Sequence, residues 1–141
     1  SEIVSTMITK SMVETISLGR AKRPDFQLLS ATDYMVTNGV IGGMGVFSPL
    51  AAVAPKLVKE VYELCVKQQF TQARQAQENI AELAHVLKLA GFGGLKAALK
   101  AMGRDCGRPR PPVRGLNETE QGQLAEKLNA MKFLQGEPRG W

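Results

Sequence analysis

The chain has 141 residues, of which 44% are hydrophobic and 22% charged, with a formal net charge of +5; this is an ordinary soluble composition for one domain or a large piece of one. No run approaches the ~18 unbroken apolar residues of a membrane span, because Lys10, Glu14 and Lys56 interrupt every candidate. Cys65 and Cys106 offer neither a disulfide framework nor a metal-ligand spacing, so reduced, partly buried thiols and a cytoplasmic home are expected, the more so because Ser1-Glu2 does not open a signal peptide.

In chain order, residues 3–18 place Val4, Met7, Ile8, Met12 and Ile16 on one helical face, with Gly19 as a stop. After a basic loop ending in Pro24-Asp25, Phe26-Gln27-Leu28-Leu29-Ser30 reads as a short buried strand. A brief helix over about 34–38, closed by Gly39, leads to a second strand, Gly45-Val46-Phe47-Ser48. Pro49 and Pro55 bracket a loop, and Pro55 suits the first turn of the next helix.

From there the pattern is helical. Leu57, Val58, Val61, Leu64 and Cys65 form one apolar stripe. Phe70, Ala73, Ala76, Ile80, Leu83, Ala84 and Leu87 form a second, broken by Gly91-Phe92-Gly93-Gly94. Leu95, Ala98, Leu99 and Met102 make a third helix, stopped by Gly103. Residues 108–114 are rich in Pro and Arg and read as a stiff surface connector. Asn117 with Glu120 three positions on is a capping-box pair opening a last helix, carried by Leu124, Leu128 and Met131.

Strands alternating with helices imply a parallel sheet, and two strands alone cannot make a covered one. A barrel of eight such units needs about 250 residues. The chain holds enough for two strands, so its sheet is expected to be incomplete.

The stretch Asp25-Phe26-Gln27-Leu28-Leu29-Ser30-Ala31-Thr32-Asp33, then Gly42-Gly43-Met44-Gly45-Val46-Phe47-Ser48 and Ala51-Ala52-Val53-Ala54-Pro55, resembles the dihydrodipicolinate synthase and N-acetylneuraminate lyase family. Phe70 to Arg74, Gly94-Leu95-Lys96 and Gly107-Arg108-Pro109-Arg110-Pro111-Pro112 continue the match in family order. The resemblance implies the C-terminal part of a (β/α)₈ barrel, strands seven and eight over residues 1–69, followed by a C-terminal helical extension over 70–141. It also implies a metal-independent, cofactor-free lyase or aldolase, usually a homotetramer, in which a lysine forms a Schiff base with pyruvate or another 2-oxo acid. That lysine, with the proton-shuttling tyrosine and the carboxylate-binding loop, would lie upstream of Ser1, so the N-terminal half of the same enzyme is the expected partner and no catalytic residue is expected here. Lys10 lies mid-helix, whereas a nucleophilic lysine must be desolvated at a strand end.

By the same resemblance Phe47 and Ser48 line the pyruvate pocket after strand eight. Ala31, Thr32 and Asp33 form the loop after strand seven, where Ala31 and Asp33 would contact the distal hydroxyls of longer substrates. Ala31 stands where glycine is usual and Ala52 where many members have asparagine. Tyr34, in place of glutamate, argues against sialic acid specificity. For Asp33 a helix N-cap remains the alternative role.

Other signals carry less. Gly42-Gly43-Met44-Gly45 lacks the spacing of a dinucleotide loop and precedes a strand. His85 stands apart from any ligand cluster, and Glu60, Glu63, Glu78 and Glu82 read as solvated helix faces. Arg104, Arg108, Arg110 and Arg114 could meet phosphates, but no aromatic partners interleave with them, so no nucleic-acid partner is expected. A non-catalytic helical binding or assembly module is the alternative to a lyase.

Overall fold

A computed structural model describes residues 33–40, 43 and 45–140, with Leu29-Ser30 and the single positions Glu14 and Lys22. Apart from Glu14, the helix expected over 3–18 lies outside the described residues, as do Lys10, residues 26–28 of the first strand, Ala31 and Thr32. Strands β1 (Leu29–Ser30) and β2 (Gly45–Val46) pair in parallel, Leu29 opposite Gly45 and Ser30 opposite Val46. Helix α1 (Met35–Val40) is the crossover between them. Among the described residues this two-stranded ladder is the whole sheet.

Two expectations are corrected here. Gly39 does not end α1, which runs on through Val40. A Cβ at Gly39 would stand 2.9 Å from the Cβ of Cys65, so its bareness serves close helix packing rather than a turn. The segment between Pro49 and Pro55 is not a loop but a single-turn helix, α2 (Leu50–Val53), because Leu50 and Val53 turn into the core.

The helical remainder follows the apolar stripes. Helix α3 (Pro55–Val66) begins on Pro55, whose missing N–H costs nothing at that position, and buries Leu57, Val58 and Val61. It ends in a tight reversal: Gln68, at φ 58°, donates to the Cys65 carbonyl and Gln69 donates to that of Leu64. Helix α4 (Phe70–Leu89) buries Ala73, Ala76, Ile80, Leu83 and Leu87 and packs along α3. Helix α5 (Gly94–Ala101) stops where expected, since Gly103 takes φ 80° and the amides of Gly103 and Arg104 return to Lys100 and Leu99. Helix α6 (Glu118–Ala130) opens on the full capping box, Asn117 Oδ1 accepting from the Glu120 amide at 2.9 Å and Glu120 Oε2 from the Asn117 amide at 2.8 Å. A short 3₁₀ turn, Lys132–Leu134, follows.

One core runs through these helices. Val53, Val61, Ile80, Leu83, Met102, Leu128 and Leu134 are almost wholly removed from water, each such side chain contributing about 1.5–3 kcal/mol. Among the described residues two charged ones, Arg104 and Glu137, are buried with them, and both serve backbone. Arg104 donates to the carbonyls of Val53 (2.9 Å) and Pro138 (3.0 Å), tying the end of α2 to the C-terminal segment. Glu137 accepts from the amides of Lys56 (3.0 Å) and Leu57 (2.7 Å). Those are the first free N–H groups of α3, whose own N-cap, Ala54, has no side chain to offer. A carboxylate there satisfies orphan donors and opposes the positive end of the helix dipole. Cys106 is exposed rather than partly buried, while Cys65 is half-buried as expected.

Candidate functional site

The parallel pairing brings the C-terminal ends of β1 and β2 side by side, and the residues that follow each strand meet there. Asp33 lies three residues beyond β1 and Ser48 two beyond β2. The Ser48 hydroxyl donates to Asp33 Oδ1, and Ser48 Oγ accepts from the Leu50 amide at 3.1 Å, fixing the start of α2. One hydroxyl thus braces α2 and orients a carboxylate from the neighbouring strand end. Phe47, beside Ser48, leaves 71% of its surface in solvent. Of the expected site residues the structure brings Asp33 and Ser48 together, leaves Phe47 open beside them, and does not describe Ala31.

The N-cap role considered for Asp33 falls to another residue. Gln77, on α4, accepts from the amides of Met35 (2.9 Å) and Val36 (3.4 Å) at the start of α1. Its Nε2 donates to the Asp33 carbonyl at 2.6 Å. The two donors against Oε1 and the one acceptor against Nε2 fix the amide's orientation. Sequence reasoning passed over Gln77. Its only local signal is a polar residue beside the buried Ala76 and one turn before Ile80.

Titration adds little nucleophilic character. Burial pushes the Cys65 thiol up, and its Sγ lies 3.8 Å from the Met35 carbonyl, so this is a packed thiol rather than a thiolate. On the surface, the hydrogen bond from Arg114 (2.7 Å) and that from the Asn117 amide hold the Glu120 carboxyl below its ordinary range. The four arginines do not make one exposed cluster: Arg104 is buried on carbonyls and Arg114 is paired with Glu120. Among the described residues no three His, Cys, Asp or Glu side chains gather to hold a metal, and no helix is long and apolar enough to cross a membrane. A cavity of about 590 Å³ lies between α5, the 105–109 segment and the start of α6, lined by Lys96, Lys100 and Arg108; it includes no residue of the strand ends.

The chain matches the model of the dihydrodipicolinate synthetase family over residues 2–131. It is 34% identical over 117 residues to a 4-hydroxy-tetrahydrodipicolinate synthase of Archaeoglobus fulgidus, covering 82% of this chain and 40% of that protein. It is 29% identical over 108 residues to an L-threo-3-deoxy-hexylosonate aldolase of Aspergillus niger, covering 77% and 32%. The solved dihydrodipicolinate synthase of Thermotoga maritima superposes with a TM-score of 0.77 at 25% identity, over 89% of this chain and 43% of that one. The chain thus spans about 40% of the length of the first of these relatives and belongs to the dihydrodipicolinate synthetase family.

Proposed function

We propose that this chain is the C-terminal portion of a (β/α)₈-barrel lyase or aldolase that works through a lysine Schiff base on pyruvate or another 2-oxo acid. In this reading β1 and β2 are strands seven and eight within residues 1–69, and residues 70–141 are the helical extension. The lysine lies in a segment preceding Ser1. Its neutral amine adds to the substrate ketone and water leaves. The protonated imine at C2 then takes up the electrons of the C3–C4 bond as it breaks, giving an enamine. In the forming direction it loses a C3 proton to give the same enamine, whose C3 attacks the second substrate's carbonyl. Phe47 and Ser48 flank the pyruvyl unit, while Ala31 and Asp33 face hydroxyls beyond it. No metal or cofactor is required. The enzyme is cytoplasmic and assembles as a homotetramer with its N-terminal half in place.

The observation that carries the reading is the Asp33–Ser48 contact, a polar pair at the C-terminal ends of adjacent parallel strands. That is the face at which barrel enzymes hold their substrates. The family membership of the chain supports the same assignment. A second reading, a non-catalytic helical assembly module, draws on the continuous helical core from Leu50 to Leu134.

Borohydride reduction of the full-length protein with pyruvate, followed by peptide mapping, separates the two. The lyase reading expects one reduced adduct, on a lysine preceding Ser1. A folded full-length protein that takes no adduct would favour the assembly module, and an adduct on Lys10 would relocate the nucleophile.

A further inference from the structure

We infer that Gln77 is a positioning residue for the substrate loop, reaching from the helical region to hold Asp33 where its carboxylate can meet a substrate hydroxyl. The inference rests on the lyase reading above and adds a residue and a division of labour to it. Gln77 lies 44 positions from Asp33 in the chain, yet its carboxamide holds the backbone on both sides of Tyr34. Oε1 takes the amides of Met35 and Val36, and Nε2 takes the carbonyl of Asp33. The Asp33 side chain is held separately by the Ser48 hydroxyl. Asp33 is therefore fixed at its backbone from α4 and at its carboxylate from the end of β2. A loop residue held at both ends can present the remaining carboxylate oxygen in one direction.

The chemistry requires an amide. A carboxylate could still accept from the two helix amides, and would suit the positive end of α1, but has no hydrogen to give the Asp33 carbonyl. Glutamate thus separates the two jobs of Gln77: it keeps the cap on α1 and loosens the Asp33 backbone, whose carbonyl is left with the Met35 amide at 3.1 Å. A residue that only stabilised the helix would be replaced by glutamate without consequence for substrate choice.

The test uses the full-length enzyme with pyruvate trapping on one side and a hydroxylated 2-oxo acid substrate on the other. Gln77→Glu loses the bond to the Asp33 carbonyl and sets oxygen against oxygen there. It is expected to keep its trapping of pyruvate with at most a small drop in melting temperature, while KM for the hydroxylated substrate rises roughly fivefold or more, the loss of one oriented polar contact, and kcat moves less. In the double variant with Asp33→Ala the two effects should not multiply, because both act through the same carboxylate. Equal changes on both substrates, or multiplying effects, would overturn the inference and leave Gln77 as a helix cap. If Gln77→Glu does not fold, Gln77→Met, similar in size but without polar atoms, is read in the same cycle. Should Asp33→Ala alone, with Gln77 intact, leave substrate preference unmoved, the role of Asp33 fails first and the inference fails with it.

Discussion

The strand-bearing segment from Leu29 to Ser48 and the helical region from Leu50 to Gly140 differ in how much of their apolar surface they bury, although the helical region too leaves Leu89 and Phe92 in solvent. In the first, Leu29, Tyr34, Val40 and Phe47 are 49–71% exposed, and among the described residues Met35 is its only fully buried apolar side chain. In the second, five helices and a 3₁₀ turn close on one core that contains Leu57, Val61, Ile80, Leu83, Leu128 and Leu134. A helix satisfies its backbone within itself and needs cover along one stripe only. A strand draws its backbone partners from its neighbours, and in a parallel sheet it needs cover on both faces. Helices can therefore close on one core while a two-stranded parallel ladder beside them keeps its edges open.

The contrast can be broken by truncating one side chain in each region of the isolated chain. Leu83→Ala, at a site with no exposed surface, should cost roughly 2–5 kcal/mol of unfolding free energy in urea titration. Phe47→Ala should change it by less than about 0.5 kcal/mol, because that ring is already in water. Comparable losses would mean that the strand ends are packed in solution.

Glu137→Ala is next in size. It leaves the amides of Lys56 and Leu57 without their carboxylate and should cost about 2–3 kcal/mol. Glu137→Gln, which keeps an acceptor, should recover part of that loss in the same titration.

If the proposed lyase reading holds, Asp33→Ala in the full-length protein should lower kcat/KM for a hydroxylated substrate about tenfold, roughly 1.4 kcal/mol, while pyruvate is still trapped. The cap on α1 belongs to Gln77, so the melting temperature should hold. A lowered melting temperature with equal loss on both substrates would return Asp33 to a structural role.

The smallest effect is at the start of α6. Asn117→Ala should cost about 1 kcal/mol in thermal or urea unfolding. Because the Glu120 carboxyl is held below its ordinary range, its support of this helix is present above the unfolded-state value and lost as pH falls through the folded one. Asn117→Ala keeps the backbone amide from which Glu120 accepts, so wild type and variant should lose this support together on acidification, and a Glu120→Gln variant that lost stability as steeply would contradict the carboxylate as its source.

Legibility in the sequence followed range of interaction. The stripe Leu57, Val58, Val61 and the pair Asn117–Glu120 are local patterns of three to four residues, and both fold as read. The strands were legible as short apolar runs in family context, though β2 stops at Val46, short of the expected Ser48. The polar anchors were not legible. Glu137 caps a helix 80 positions away and Gln77 one 42 positions away, and no periodicity marks such partners. Arg104 reads as part of a solvated basic run, yet the approach of Val53 and Pro138 supplies two carbonyls and draws it inside. Gly39 carries the signature of a stop and serves a contact with Cys65 that only the packed helices reveal. At the strand ends, Asp33 and Ser48 could be nominated through resemblance alone, since what joins them is the parallel register of β1 and β2.

The most direct test of the account is hydrogen–deuterium exchange on this chain, alone and mixed with the proposed preceding segment. The completed barrel predicts fast exchange over residues 29–48 in the isolated chain, slow exchange in α4, and strong protection of 29–48 once the preceding segment is added. Protection of residues 29–48 already present in the isolated chain, unchanged by the addition, would contradict it.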